Sequence, residues 1–380
     1  MSTETTLAVT PFDDTTAETL ARSLSHAVVV GIGESTRFAQ QTFAVRDAIF
    51  RNLVERHGFR TLAVQDSADV GATLDAYVRT GAGTAVSALD LSWRPWRTAE
   101  MAEALTWIRE FNQAHPDDQV AVIGVKPAQA TPADYDTVLD AVRARAPHRA
   151  AELAAHLDPI RTAHTVDEHV QRARGVHPGR RFRDHAHDAS ALVASIPELG
   201  ETVHARMASI EEFHRNSVAG RGSFAGDGER WAATIIDHIR RTGSRTVYWD
   251  GIAHVSAGAA AIGLAAGQEA TASVGSVLRA HFGRGYAAVA IGFHHGDLGV
   301  AQIPAPAPDF LDARLGAAGP ARLWRDLRAE PLPGPAKLRV ISGVYDPVRD
   351  ADEHLAIRDL PEAFDVLIHL REVTAVRWLP

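Results

Sequence analysis

The chain of 380 residues contains no cysteine, which rules out disulfides, thiolate nucleophiles and thiolate metal sites. It also lacks any excess of positive charge. Lys and Arg number 39 against 47 Asp and Glu, a formal net charge of −8. Broad nucleic-acid binding needs a basic surface, so no nucleic-acid partner is expected. Long apolar runs are missing as well. The most apolar window, Ala257 to Gly267, is too short to span a bilayer, and no membrane partner is expected. Its glycines and alanines predict a tightly packed internal helix. The start, Met1 to Thr6, has neither the basic nor the apolar region of a secretory signal, and the expected location is cytoplasmic. There is no P-loop, and Gly31-Ile32-Gly33 lacks the third glycine of a dinucleotide fingerprint. No His-Glu-x-x-His spacing occurs, although 19 histidines give chance clusters. No cofactor and no essential metal are expected.

What is present is ordinary globular chemistry. Apolar residues make up 46% and charged residues 23% of a chain long enough for a large core. Strand and helix signals alternate through the first 130 residues, with strands expected near Ala27–Gly31, Thr61–Gln65 and Val120–Gly124. That alternation predicts an α/β fold, a mostly parallel β-sheet flanked by helices. From 131 to 243 the strand signals nearly vanish and helical periodicity takes over, which predicts a helical insertion or cap. The α/β signal returns over 244–380, with strands at Arg245–Trp249 and Tyr286–Gly292. A loop is expected after Gly179. Its His185-Ala186-His187, flanked by Asp184 and Asp188, is a pair able to meet a metal but without further ligands in a recognisable pattern.

The stretch richest in chemistry is Gly31-Ile32-Gly33-Glu34-Ser35-Thr36-Arg37-Phe38, entered from the apolar run Ala27-Val28-Val29-Val30. A buried β-branched run ending in Gly-x-Gly reads as a parallel strand stopping at its C-terminal edge, where open α/β sheets keep their ligand crevice. Glu34 and Arg37 are thus opposite charges at a candidate site mouth, the alternative being a structural ion pair. Burial can raise the pKa of Glu34 toward neutrality, whereas Arg37 or Arg46 would oppose that. His254 follows a second expected strand and titrates near neutral pH. His294 and His295 follow a third.

Gly33-Glu34-Ser35-Thr36, then Arg46, then Ala63-Val64-Gln65, resembles the erythromycin esterase family. That family opens on Gly-Glu-(Ser/Ala)-Thr-His-Gly, with an Arg nine residues after the His. The similarity continues through Ser92-Trp93-Arg94-Pro95-Trp96-Arg97-Thr98 and Trp107-Ile108-Arg109-Glu110-Phe111-Asn112. It resumes at Val247-Tyr248-Trp249-Asp250-Gly251-Ile252-Ala253-His254-Val255, Ala290-Ile291-Gly292-Phe293 and Phe364-Asp365-Val366-Leu367-Ile368-His369. The resemblance implies an erythromycin-esterase-like fold, with Glu34, Arg46 and His254 carried over as site residues.

The departures are as informative. The family's general-base His is Arg37 here, the acid ending its second strand is Gln65, and the first His of its His-Asn-x-His is Gly251. Lys126 stands where the family usually shows an acid. Arginine cannot remove a proton at neutral pH, so the inherited way of activating water is expected to be lost. The expected function is therefore a natural-product tailoring enzyme using non-hydrolytic acid/base chemistry, such as cyclisation, elimination or acyl transfer. Glu34, His254 and His294 are its candidate proton carriers. Arg37, Arg46, Gln65, Trp96, Arg97 and His295 are its candidate substrate contacts. The partner is a small-molecule or peptide substrate with an anionic or carbonyl group. Two alternatives stand beside this reading: an ester or lactone hydrolase with a relocated base, and an inactive protein that binds its ligand.

Overall fold

The computed structural model describes residues 9–177, 179–223, 225–258, 260–262, 272–341, 345–352 and 354–380. Its strands are β1 (Thr10–Pro11), β2 (Val29–Glu34), β3 (Phe59–Ser67), β4 (Ala121–Lys126), β5 (Arg245–Gly251) and β6 (Ala260–Ile262). They continue with β7 (Tyr286–Asp297), β8 (Gln302–Ile303), β9 (Arg322–Asp326), β10 (Ala336–Arg339), β11 (His354–Ile357) and β12 (Val366–Thr374). The main sheet runs β1-β9-β12-β7-β2-β5-β3-β4, with β8 beside β7. From β12 to β4 every neighbour is parallel. The antiparallel strands β9, β1 and β8 sit at its margins. A second sheet orders β10-β11-β6. The fold is therefore α/β with a mostly parallel sheet, as the alternation of signals implied.

Side-chain alternation explains how the sheet is covered. In β2, Val30 and Ile32 enter one apolar core with Phe43, Ile49, Phe50 and Leu53 of helix Gln40–His57. Val29 enters the opposite core, with Tyr248, Ala288 and Trp231 of helix Asp227–Thr242. Successive strand residues point to opposite faces, so strands buried on both sides read as continuous apolar runs.

The chain folds as two compact units, Met1–Pro127 with Ala225–Pro380, and Ala128–Phe224. The second unit has its own helical core, built around Tyr135, Leu139, Leu157, Phe182, Val193 and Ile210. Among its described residues there is no strand. Helix Asp227–Thr242, inside the segment read as insertion, packs on β4 and belongs with the sheet.

Two local expectations differ from what is observed. Phe182–Ala194 is a helix, so His185 and His187 lie on helical turns; His185 Nδ1 is 3.3 Å from His156 Nδ1, and His187 pairs with Glu211 at 3.0 Å. The alanines and short side chains from Ala186 onward bury one face of that helix, which the charge run at its start conceals. Of the glycine- and alanine-rich window expected as a helix, Ala260–Ile262 is a strand paired with β11. Residues 263–267 lie outside the described ones.

Candidate active site

Parallel strands end their C-terminal tips on one edge of the sheet, and β2, β3, β4 and β5 deliver Glu34, Gln65, Lys126 and Asp250 there. The turn after β2 is pinned. Ser35 donates from both its backbone N–H and its hydroxyl to the Ile291 carbonyl, at 2.9 Å and 3.0 Å. The Ser35 carbonyl in turn accepts from Ile341 N–H at 2.8 Å. This fixes the backbone from which Arg37 projects. Between Val64 and Ser67 the β3–β4 ladder changes register, releasing Gln65 and Asp66 from regular pairing. Gly124 permits this: a Cβ there would lie 1.9 Å from the Ser67 carbonyl oxygen.

Four charges interlock at this edge. Glu34 Oε2 lies 2.5 Å from Arg46 Nη1, and Oε1 lies 3.0 Å from Arg37 Nε. The second contact is an ion pair without hydrogen-bond alignment. Arg37 Nη2 reaches Asp250 Oδ1 at 2.7 Å. Asp250 also accepts from the Tyr248 hydroxyl and, at 2.6 Å, from the Gly251 N–H. Aromatic faces close the cluster. Arg46 lies 4.4 Å from the Phe43 ring, 4.9 Å from Trp249 and 5.2 Å from Trp96; Arg37 lies 4.5 Å from Trp93. Such cation–π contacts gain strength away from water. The side chains of Glu34, Arg46 and Asp250 have no exposure, whereas that of Arg37 is 13% exposed. Of these four side chains, only that of Arg37 meets solvent.

Burial pushes the Glu34 carboxyl up to about 7, against the pull of the Arg46 and Arg37 guanidiniums and with some help from Asp250. Burial likewise lowers Arg46, which Glu34 opposes. His254, on the one-turn helix Ile252–Val255, is half-buried by surface area but densely surrounded. That crowding pushes its imidazole below the usual histidine value, with Asp250 pulling the other way and Arg37 and Lys126 adding to the fall. The imidazole is therefore neutral at neutral pH and able to accept a proton. Its ring lies 5.1 Å from Trp231. Gly251 is the gap between it and the cluster: a Cβ there would lie 3.0 Å from Arg37 Nη2 and 3.9 Å from His254 Cδ2.

The other expected residues are distributed unequally. Gln65 is buried, its side-chain oxygen unpartnered among the described residues, and its backbone carbonyl accepts from Trp96 Nε1 at 3.1 Å. Trp96 packs over Arg46, while Arg97 instead donates to the Pro380 carbonyl at 2.8 Å. His294 and His295 face each other, Nδ1 to Nδ1, at 2.9 Å. The titratable neighbours of His294 are His295, His369, Arg339 and Asp312. The register explains this: Ile291 pairs with Glu34, so His294 lies three residues further along β7, on the order of 10 Å. Sequence reading did not assign Asp250, Tyr248 or Trp231 to the site. Asp250 and Tyr248 share one face of β5, a period-two signal visible in Tyr248-Trp249-Asp250 once that strand is recognised. Among the described residues no group of three or more His, Asp or Glu is arranged to hold a metal ion.

The erythromycin esterase family model matches residues 54–373. The chain belongs to the erythromycin esterase family. The match begins after Glu34, Arg37 and Arg46, so those positions rest on the sequence resemblance and the geometry alone. Among solved structures, the chain is similar to a Bacillus cereus protein at 17% identity, covering 98% of this chain and 97% of that one, with a TM-score of 0.66. A succinoglycan biosynthesis protein is similar at 18% identity, 97% and 95% coverage and a TM-score of 0.65. The esterase EreC, as a mutant in its open conformation, is similar at 16% identity, 95% coverage of each chain and a TM-score of 0.57. These likenesses establish an erythromycin-esterase-like fold. No curated protein matches the chain. No described helix is long and apolar enough to cross a membrane.

Proposed function

We propose that this family member is an enzyme acting on a small natural-product or peptide substrate by non-hydrolytic acid/base chemistry: cyclisation, elimination or acyl transfer. The observation that carries the reading is the position of Arg37. Its guanidinium spans Glu34 and Asp250 in the slot where the family pattern has a base, and an arginine cannot activate water. With both carboxylates committed to guanidiniums, His254 is the group that moves a proton. Arg37 presents positive charge to a carbonyl oxygen as negative charge develops there. Glu34 and Arg46 hold Arg37 in place and tune its field.

A second reading is favoured by one observation: His254 has no ion-pair partner among the described residues and is kept neutral. It can therefore serve as base for an ester or lactone hydrolase. Incubation with erythromycin and simple esters in 18O-labelled water separates the two. The first reading expects no ring-opened product and no label in any product. Efficient label uptake into a product acid overturns it in favour of hydrolysis. Unchanged substrates throughout, together with tight binding, point to a ligand-binding protein.

A further inference from the structure

Lys126 is the cation that the four-charge cluster leaves over. It ends β4 and is half-buried. Its ammonium lies 4.8 Å from the Trp93 ring and 5.4 Å from the Trp231 ring. Trp93 also carries Arg37 at 4.5 Å, and Trp231 also meets His254 at 5.1 Å. The ammonium is therefore held beside both the exposed member of the cluster and the proposed proton carrier. Among the described residues, the nearby carboxylates are engaged elsewhere. Glu34 binds the two arginines, and Asp250 binds Arg37, Tyr248 and the Gly251 N–H. Asp66 accepts from the backbone N–H of Ser67 and of Trp93, at 2.8 Å and 2.9 Å. Asp227 pairs with Arg230 at 2.6 Å. Among the described residues Lys126 has no carboxylate at ion-pair distance, only two indole faces.

We propose that Lys126, cradled by Trp93 and Trp231, is the anchor for a carboxylate of the substrate, and that this subsite sets specificity for acidic over neutral molecules. This rests on the reading of the edge as an active site, and it moves the anion contact away from Arg37. Two of the three nitrogens of Arg37 are committed to Glu34 and Asp250, and the third, Nη1, is buried. Arg37 thus has no free fork for a bidentate carboxylate, whereas an ammonium offers three rotatable donors. Apolar walls with one convergent charge are the usual make-up of a small-molecule subsite.

The test is binding, not turnover, and so is independent of whether the reaction class is right. Benzoate, neutral benzamide and inorganic phosphate are titrated into the full chain at pH 7.5, following tryptophan fluorescence and heat. Saturable benzoate binding is expected, at least tenfold tighter than benzamide. Lys126→Met should weaken benzoate at least tenfold with its thermal midpoint unchanged, and Lys126→Arg should keep most of it. Equal binding of benzoate and benzamide, or of benzoate to wild type and Lys126→Met, overturns the subsite. Phosphate binding tighter than benzoate overturns the carboxylate assignment. Retained benzoate binding in a protein that proves catalytically inert would sink the enzyme reading but leave this one standing.

Discussion

Replacing Arg46 by methionine isolates the energetics of the buried cluster. The side chain has no exposure, its Nη1 is 2.5 Å from Glu34, and three aromatic rings surround its guanidinium. Methionine keeps an unbranched apolar stem but deletes the charge, leaving Glu34 buried with Arg37 alone. Removing one partner of a buried pair costs about 3–5 kcal/mol, a large share of a stability of about 5–15 kcal/mol. The loss should also depend on pH. Burial has already raised Glu34 to about 7, and Arg46 is the largest influence opposing that rise. Without Arg46 the carboxyl climbs further. A carboxyl raised in the folded state contributes stability below its unfolded value of 4.5 and loses it as pH rises through the folded value. The penalty of Arg46→Met should therefore be smaller at pH 5 than at pH 8.

The seven tryptophans all lie outside 128–224, so their fluorescence in guanidinium chloride reports the sheet unit alone. The full loss is expected at pH 8. The double variant Glu34→Gln with Arg46→Met should lose about 2 kcal/mol less than the two single losses together, because the charges are removed jointly. A loss below about 1 kcal/mol at pH 8, a penalty independent of pH, or strict additivity would refute the argument that desolvated pairing holds this edge together.

Two further expectations concern the open side of the site. Proton NMR of His254, assigned by its loss in His254→Gln, should titrate below the usual value of 6.5, because burial disfavours the imidazolium; a midpoint at or above 6.5 contradicts the neutral-base assignment. Gly251→Ala places a methyl 3.0 Å from Arg37 Nη2, so the guanidinium must give by a few tenths of an ångström and its pairing with Asp250 is disturbed. Ligand affinity should fall several-fold for a stability cost of about 1–3 kcal/mol, and unchanged affinity by calorimetry argues that Arg37 faces no ligand.

Much of this architecture was legible because strands buried on both faces leave continuous apolar runs. Val28-Val29-Val30 leads into β2, and Thr61-Leu62-Ala63-Val64 lies within β3. Glu34 was legible because it ends such a run. Its partners were legible only in part. Arg46 sits on the helix after β2, where spacing and resemblance agree. The carboxylate that completes the Arg37 bridge comes from β5, 213 positions away in the chain, and nothing in the sequence pairs the two residues. His294 and His295 show the opposite failure. They end a strand adjacent to β2, but β7 runs on past the level of Glu34, and strand adjacency does not fix how far along a residue lies. The charge run at its start hides the helix carrying His185 and His187, although its apolar face, from Phe182 through Ala186, Ala189 and Val193, follows the helical period.

The two main departures from the family pattern, Arg37 and Gly251, are one change in physical terms. Arg37 extends across the end of β2 to Asp250 and passes directly over residue 251. Any side chain at 251 would begin 3.0 Å from its Nη2, a contact tight enough that the arginine would have to give way slightly. Glycine vacates that space and also donates its N–H to Asp250, helping to hold the carboxylate that receives Arg37. Where the resemblance has two histidines, this chain has a cation bracketed by two buried carboxylates and a glycine. His254 then keeps its place beside the bridge as the remaining imidazole of the motif. On the proposed reading, such a site stabilises negative charge on a substrate oxygen while His254 moves the proton.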